Sequence, residues 1–380
     1  MSSHFNKTGF AAALAFAALC STAHAGGFSR GEADTDILFE DGKVVLRAGT
    51  TFVSPDRKYG TISGVDATDG AFSDTYWIPS FAAKVGISDS FACAVTYTQP
   101  FGASSTFGAQ AQAAEAAATG NYTIHKEFIT NELGGTCDAK FDAGPGKIHI
   151  LGGVFAEDFS YTEETFFGTL KLKDDSAFGY RFGVAYDIPE YAMRAQLMYR
   201  SKVEHNVDGS FTPDALAAVV GATPLDAFGT GTLPQSVKLS LQSGVAPGWL
   251  VYGSVQWTDW SVLDTLDYEI DVLGPQSDVY NWKDSWSIQG GVAHEFTDKI
   301  AGTLNLTWDQ GVSTGADIMS DTWTLGAGAS LNAGPGQFLL GVGVSYMTSG
   351  SQSTADGADY DATANGDWAY AITSSYKVSF

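Results

Sequence analysis

Cysteine is nearly absent from this chain of 380 residues, which contains three cysteines in total. Only Cys93 and Cys137 lie beyond the first 25 residues. This scarcity excludes a disulfide-rich scaffold and a metal site built on CxxC pairs. Alternation along the predicted strands places Cys93 on the outward face of the third strand and Cys137 on the adjacent fourth. The sequence is therefore compatible with one disulfide bond between these two cysteines or with two free thiols.

Basic side chains and long apolar runs are also scarce. The chain has 20 Lys and Arg residues against 43 Asp and Glu residues, for a net charge of −23. Such a charge would repel phosphates, so nucleic acid is not an expected partner. Beyond the first 25 residues, no stretch reaches the roughly 18 apolar residues that a transmembrane helix needs.

The N-terminus has the pattern of a signal peptide. A basic Lys7 precedes the apolar run GFAAALAFAALC, and Ala23-His24-Ala25 supplies the small residues of a cleavage site. The run is too short to cross a bilayer as a helix. We therefore expect residues 1–25 to be removed after Ala25.

What the sequence does contain is strict alternation of large and small side chains. Glycine (44 residues) and aromatic residues (13%) are abundant, which fits a β-rich protein. Near the C-terminus, large apolar side chains share one face of a predicted strand while small ones share the other, as in Phe338, Leu340, Val342, Val344 and Tyr346 against Leu339, Gly341, Gly343 and Ser345. A period of two predicts strands with one apolar face.

The pattern predicts an all-β fold with fourteen antiparallel strands. Their predicted ranges are 43–55, 76–88, 90–101, 123–141, 146–160, 176–188, 191–211, 232–246, 248–265, 284–297, 299–309, 320–333, 336–349 and 366–380. Tight turns alternate with long loops between them, which is the arrangement of an outer-membrane β-barrel in a Gram-negative bacterium. We expect the barrel to span residues 43–380, preceded by a short plug of residues 26–42.

Two stretches carry a resemblance to a known family. AFGYRFGVAYDIPEYAMRAQLMYRSKVEHNVDGSF (177–211) and LPQSVKLSLQSGVAPGWLVYGSVQWTDWS (233–261) resemble paired strands of the FadL family of outer-membrane long-chain fatty-acid transporters. The resemblance extends over about residues 76–380. It implies a monomeric barrel that takes up long-chain fatty acids or similar hydrophobic compounds from the outer-membrane surface by passive diffusion. In that family, substrate leaves sideways into the membrane lipid through a kink in the third strand.

The plug region departs from the family pattern. Only residues 26–42 precede the first strand, and they lack the Asn-Pro-Ala motif of the family. If this segment enters the lumen, we expect Phe28 and the apolar residues Ile37, Leu38 and Phe39 to contact ligand. A segment held at the periplasmic mouth is an equal alternative.

The third predicted strand is interrupted at Pro100, Phe101 and Gly102. Proline removes a backbone donor and glycine weakens a strand, so neither belongs in a continuous wall. By the resemblance, these three residues mark the lateral opening. The alternative is that the strand ends at Gln99 and an external loop begins.

Two predicted external loops have unusual compositions. The 102–122 loop contains AQAQAAEAAA, which predicts a short helix. The 212–231 loop is rich in large apolar residues, namely Leu216, Val219, Val220, Leu225 and Phe228. We expect this loop to fold over the barrel mouth or to contact a hydrophobic ligand.

Alternation also places several basic side chains in the lumen: Arg47, Lys84, Arg181, Arg194, Arg200, Lys202 and Lys238. Among them, Arg200 and Lys202 are candidates to guide an anionic head group. The alternative is that these residues only make the lumen polar.

The sequence offers no enzymatic chemistry, cofactor motif or metal motif. Its histidines lie on separate strands, and no GxSxG elbow, P-loop or zinc pattern occurs. The acid-rich loop segments could bind calcium or could simply be solvated. A transporter of hydrophobic compounds is the leading interpretation, and the alternatives are a general diffusion porin, an outer-membrane enzyme and a structural barrel.

Overall fold

The computed structural model describes residues 26–380. The predicted signal peptide, residues 1–25, lies outside the described residues. The described chain is mostly β-strand. Its strands in chain order are β1 (Val44–Pro55), β2 (Thr61–Ile62), β3 (Val65–Asp66), β4 (Tyr76–Ser88), β5 (Phe91–Thr98), β6 (Gly102–Thr106), β7 (Thr123–Ile129), β8 (Glu132–Ala143), β9 (Gly146–Thr165), β10 (Gly168–Ile188), β11 (Met193–Arg200), β12 (Val203–Pro213), β13 (Leu225–Leu233), β14 (Ser236–Ala246), β15 (Trp249–Thr258), β16 (Thr265–Ile270), β17 (Gly274–Val279), β18 (Ser285–Thr297), β19 (Ile300–Asp309), β20 (Thr322–Ala333), β21 (Gly336–Met347), β22 (Gly350–Gln352), β23 (Ala362–Ala364) and β24 (Asp367–Ser379).

Fourteen of these strands form one closed antiparallel barrel, which confirms the predicted fold class. The wall runs in the order β1, β4, β5, β8, β9, β10, β11, β14, β15, β18, β19, β20, β21 and β24. The last strand pairs with the first, from Val45 opposite Ser379 to Pro55 opposite Ala369. We call this β1–β24 junction the seam. Because the barrel closes on itself, every wall strand pairs with a neighbour on both sides over at least part of its length.

The two ends of the barrel differ. At one end, here called the turn end, six hairpins close through two- to four-residue connections at 89–90, 144–145, 189–192, 247–248, 298–299 and 334–335. Residues Lys43 and Phe380 also meet there, with the Lys43 amide donating to the Phe380 carbonyl at 2.9 Å. All longer connections lie at the opposite, loop end. The predicted alternation of tight turns and long segments is therefore present.

Helices are few and short. They are the 3₁₀ turns Thr35–Phe39, Pro189–Tyr191, Trp260–Val262 and Thr354–Asp356 and the α-helices α1 (Ala109–Thr119) and α2 (Ala217–Val220). Helix α1 is the helix predicted in the 102–122 loop. Among the helices of residues 26–380, none is both long and apolar enough to cross a membrane.

Three predicted loops are wrong, because the sheet continues past the barrel at the loop end. Strands β9 and β10 extend through most of 161–175 and meet in a turn at 166–167. The 212–231 segment shrinks to residues 214–224, since β13 pairs back onto β12. A further hairpin, β16 and β17, occupies most of 266–283.

Whereas β9 and β10 continue into this extension without a break, the chain is interrupted between β11 and β12, and an interruption can reverse the in-out alternation. On β11, Arg194 and Gln196 face inward, whereas on β12 Val203 and His205 do so. Two residues, 201 and 202, separate the strands. The shift of one position turns Lys202 outward, so the expectation of a lumenal Lys202 is wrong.

Cys93 and Cys137 form a disulfide bond. They lie directly opposite each other on β5 and β8, and their Cα atoms are 4.0 Å apart. Both occupy the outward-facing positions that alternation predicts, beside Val95 on the outer surface. The bond therefore ties two neighbouring wall strands together on the outside of the barrel.

Candidate functional site

The N-terminal segment, residues 26–42, runs through the lumen. Its residues 28–31 pair with the interruption between β5 and β6. The Arg30 amide donates to the Pro100 carbonyl at 2.8 Å, the Gly31 amide to the Gln99 carbonyl at 2.9 Å, and the Gly102 amide to the Phe28 carbonyl at 2.9 Å. The segment thus acts as an inner strand against the wall.

The apolar residues Ile37 and Leu38 lie at the turn end. They belong to the 3₁₀ turn Thr35–Phe39 and are fully buried against small wall residues such as Ala92 and Ala94. The Phe39 ring lies 4.8 Å from the His149 ring. These contacts anchor the segment to the wall. None of the three side chains lines the cavity that lies between the segment and the wall. Their role in ligand contact stays a prediction.

The acidic side chains of the segment pair with lumenal bases of the wall. Asp34 lies 2.6 Å from Arg47, and Asp36 lies 3.2 Å from Arg194. Similar pairs join Glu32 to Lys238 at 2.5 Å and Glu40 to Lys377 at 2.8 Å, while Glu40 also binds Arg47 and its carbonyl accepts from Lys84. Four of the predicted lumenal bases therefore serve to hold the segment.

The wall itself has an unpaired stretch, here called the wall gap. The ladder between β4 and β5 ends at Phe81 opposite Tyr97, and the next contact is the isolated bridge of Ser73 with Ser105. Between them, Tyr76–Ser80 pair with β1 alone. The gap is bounded on its other side by residues 98–102, which include the predicted Pro100, Phe101 and Gly102.

Neither sequence interpretation of Pro100 describes this region fully. The strand ends at Thr98, yet β6 resumes at Gly102 instead of opening into a loop. The Phe101 amide donates to the Thr130 hydroxyl oxygen at 3.1 Å, and the Pro100 carbonyl is satisfied by Arg30. Backbone groups that leave the ladder thus find partners inside the protein, as a membrane wall requires.

Beyond the gap, aromatic side chains fill the loop end of the lumen. This outer aromatic cluster comprises Phe101, Phe128, Phe159, Phe211, Trp260 and Trp282. Phe28 inserts into it, with ring centroids 4.6 Å from Phe128 and 4.4 Å from Trp282. Phe101 turns inward from the wall gap and lies 5.5 Å from Trp260.

The 212–231 residues divide between two environments. Leu216 and Leu225 pack against the outer aromatic cluster, as expected of a segment that covers the mouth. Val219 is 81% exposed at the tip, and Val220 is partly buried. Phe228 is 46% exposed on the outer face of β13, because Ala227 takes the inward position. The structure therefore does not bring the five residues together.

A cavity of about 240 Å³ lies between the N-terminal segment and the wall. It reaches Phe101 at the edge of the outer aromatic cluster, and Pro100, Ile78 and Ser80 at the wall gap. Its remaining lining is largely polar, with Ser, Thr and charged side chains. The cavity thus connects the apolar outer cluster to the unpaired part of the wall.

Arg200 lines this cavity but is already committed to ion pairs. Its Nη2 lies 3.1 Å from Glu132 and also binds Glu157, while Arg181 pairs with the other oxygen of Glu132. Lys202 is exposed and pairs with Glu204 at 2.7 Å. Neither predicted head-group residue has a free charge facing the cavity.

Arg30 is a cavity residue that the sequence reasoning missed. Its side chain is 3% exposed, and its guanidinium carbon lies 4.1 Å from the centre of the Tyr76 ring. Within residues 26–380, its Nε and Nη2 have no hydrogen-bond acceptor. A basic residue in an otherwise acidic segment, GEADTD following SR, was the available signal.

The described residues contain no group of three or more His, Cys, Asp and Glu side chains arranged to hold a metal ion. The groups that this site presents are aromatic rings, ion pairs and a break in the wall.

Comparison with known proteins identifies relatives of the whole barrel. Residues 37–380 match the sequence model of a family described as "Outer membrane protein transport protein (OMPP1/FadL/TodX)". No curated protein sequence matches the chain.

Several solved structures share the fold. A FadL homologue from Pseudomonas aeruginosa is 14% identical with a TM-score of 0.73, over 100% of this chain and 99% of that one. The toluene transporter TbuX from Ralstonia pickettii is 14% identical with a TM-score of 0.64, over 96% and 97% of the two chains. The toluene transporter TodX from Pseudomonas putida is 12% identical with a TM-score of 0.62, over 94% and 96%.

Proposed function

The chain belongs to the FadL/TodX family of outer-membrane transport proteins, and on that premise we propose that it is a monomeric, passive uptake channel for long-chain fatty acids or similar hydrophobic compounds. The observation that carries this proposal is that three features adjoin one another. The outer aromatic cluster borders the cavity at Phe101, and the cavity reaches the wall gap. After signal-peptide removal, the channel would reside in the outer membrane of a Gram-negative bacterium.

Capture begins at the outer aromatic cluster. Transfer of an acyl chain from water to an apolar site is favourable by about 0.8 kcal/mol per buried methylene. Leu216 and Leu225 would extend the apolar surface at the mouth, since both already pack on the cluster. Phe28 occupies the centre of the cluster, so displacement of its ring would open the way to the cavity.

Release would take place sideways through the wall gap. The gap has no strand ladder to break between Tyr76–Ser80 and residues 98–102, and residues 28–31 bond to its 98–102 edge from inside. A hydrophobic molecule that leaves there enters membrane lipid and avoids the polar turn end. Pro100, Phe101 and Gly102 are the proposed edge of this opening.

A general diffusion porin fits the geometry less well. Such a channel needs an open aqueous lumen, whereas residues 26–42 run through this lumen and are tied to the wall by several ion pairs. The alternative predicts steady ion conductance in planar bilayers, and the proposed function predicts little.

Uptake by cells tests the proposal. A strain lacking the gene should accumulate less labelled oleate, and also less of a neutral hydrophobic compound, than the same strain carrying a plasmid copy. A small hydrophilic sugar serves as the control and should enter both strains equally. Equal entry of all three compounds would contradict the proposal.

A further inference from the structure

Arg30 differs from most cations of the lumen. Within residues 26–380, Lys84 also lacks a carboxylate partner, but its Nζ donates to the Glu40 carbonyl. Arg47, Arg181, Arg194, Arg200, Lys238 and Lys377 each lie within ion-pair distance of a carboxylate. Among the residues that the structure describes, no carboxylate forms an ion pair with Arg30. Its contacts are the Tyr76 ring and, through its backbone amide, the Pro100 carbonyl.

This guanidinium is also deeply buried. Removing an unpaired charge from water is costly, and stacking on an aromatic ring offsets only part of that cost. Nε and Nη2, which have no acceptor among residues 26–380, are neighbouring donors of one planar fork. A carboxylate is the group that such a fork binds best, with two parallel hydrogen bonds.

The position of the side chain is built into the wall gap. A Cβ atom at position 102 would lie 2.7 Å from the Arg30 Cζ and 2.8 Å from its Nε and Nη1. Gly102 therefore makes room for the guanidinium, in addition to weakening the strand. Tyr76 closes the other side, from the part of β4 that has no β5 partner.

We propose that Arg30 binds the carboxylate of the transported molecule at the junction of the cavity and the wall gap. This inference rests on the proposed transport function and specifies its substrate class: a hydrophobic chain that ends in a carboxylate, in preference to a neutral hydrocarbon. The acyl chain would extend toward Phe101 and the outer aromatic cluster, which adjoin the same cavity. Arg30 would then be the residue that distinguishes acids from neutral compounds.

Equilibrium binding to the purified protein in detergent tests the assignment. The probes are oleate and oleyl alcohol, which share one hydrocarbon chain and differ only in the head group. At alkaline pH, Arg30→Met should weaken oleate binding by about tenfold to a hundredfold, the usual effect of losing a charge-assisted hydrogen-bonded pair. Oleyl alcohol binding should be unchanged, and Arg30→Lys should retain part of the preference for oleate.

Two further variants control for structural effects. Lys202→Met removes a cation that is exposed, pairs with Glu204 and does not line the cavity, so it should leave the oleate preference intact. Gly102→Ala keeps every charge but displaces the guanidinium, so it should lower oleate affinity selectively. Heat-modifiable migration on gels would verify that each variant is a folded barrel.

The possible outcomes distinguish a failure of the Arg30 assignment from a failure of the proposed transport function. Equal loss of both probes in Arg30→Met, or no loss of either, would overturn the assignment of Arg30. Wild-type protein that binds oleyl alcohol but not oleate would also overturn it, while leaving transport of hydrophobic compounds in place. Wild-type protein that binds neither probe would overturn the proposed function and this inference together.

Discussion

Arg47 and Lys377 are direct partners across the seam between β1 and β24, and the carboxylate of Glu40 binds both. Like charges that face each other across two strands repel. Glu40 comes from the N-terminal segment, which lies inside the barrel. Closure of the wall and placement of this segment are therefore coupled through one buried carboxylate.

Glu40→Gln should destabilise the barrel by about 3–5 kcal/mol, because it removes one partner of a buried ion-paired group and leaves two cations opposed. Urea unfolding in detergent, followed by tryptophan fluorescence, measures the loss. Asp41→Asn is the matched control, since Asp41 is the next residue and is exposed. Equal midpoints for the two variants would contradict the role of Glu40.

A reversible cross-link across the wall gap should block release. If the ladder continued by one pair beyond Phe81 and Tyr97, Ser80 would face Thr98. Ser80→Cys with Thr98→Cys, in a background lacking the native disulfide, should lose most oleate uptake when oxidised and regain it with a reductant. The reason is that a closed ladder leaves no sideways exit.

The control for this cross-link is a bond within the existing ladder. Ala82 and Thr96 are paired, and both face the lumen. Ala82→Cys with Thr96→Cys should form a bond without changing uptake. If both cross-links reduced uptake alike, the loss would not result from closing the wall gap, and this would contradict release through it.

Phe28 should control access from the outer aromatic cluster to the cavity. Phe28→Ala removes a ring that contacts Phe128, Tyr280 and Trp282, and loss of a packed phenylalanine costs about 3–5 kcal/mol. We expect faster oleate uptake together with increased ion conductance in planar bilayers, because without this ring the way from the outer aromatic cluster to the cavity stays open. Val219→Ala, at an exposed apolar residue of the same end, should change neither measurement.

The disulfide should contribute to stability. Cys93 and Cys137 close a loop with a sequence separation of 44 residues, for which the chain-entropy relation gives about 4 kcal/mol. Cys93→Ser with Cys137→Ser should lower the urea midpoint, and reduction of the wild-type protein should lower it to the same value. A thiol assay on unfolded, unreduced protein should detect no free thiol at these two positions.

Asp317 should make the loop end sensitive to pH. Burial raises the pKa of this carboxyl to about 6, although the Trp282 indole donates to it at 2.8 Å and Ser313 also lowers the pKa. The folded state therefore binds this proton more tightly than the unfolded state. Its contribution is fully present below the ordinary pKa of 3.8 and is lost as the pH rises from there through about 6. Asp317→Asn should remove this dependence, which thermal unfolding at several pH values would measure.

The barrel could be predicted from sequence because alternation is a local property of each strand. The same approach failed where the strands leave the barrel. Leu170 and Leu172 continue the alternation inward, but the charges of Lys171 and Lys173 on the outer face resembled a solvated loop. A short interruption reversed the alternation before Val203 and misplaced Lys202.

The site was less predictable, because its contacts join residues that are far apart in the chain. Phe28 and the wall break at Pro100 were both visible, yet nothing local indicates that their backbones pair. The partners of Arg47 and Arg194 depend on the path of the N-terminal segment through the lumen. The unpaired guanidinium of Arg30 becomes visible only when the partners of the other lumenal cations are known, including the Glu40 carbonyl that accepts from Lys84.

The strand interruptions also set the hydrophobic thickness of the protein. Strands β5 and β11 each have 8 residues. Near the end of each strand an outward tyrosine donates to a polar side chain of a neighbouring segment. Tyr97 donates to Asn131 and Tyr199 to Gln235, both at 2.8 Å. Eight residues extend roughly 26 Å, and a strand tilt of roughly 40° reduces this to about 20 Å. At these two strands the wall is therefore shorter than the roughly 30 Å apolar layer of an average bilayer. Vesicles of short-chain lipids should accept the folded protein more readily than vesicles of long-chain lipids.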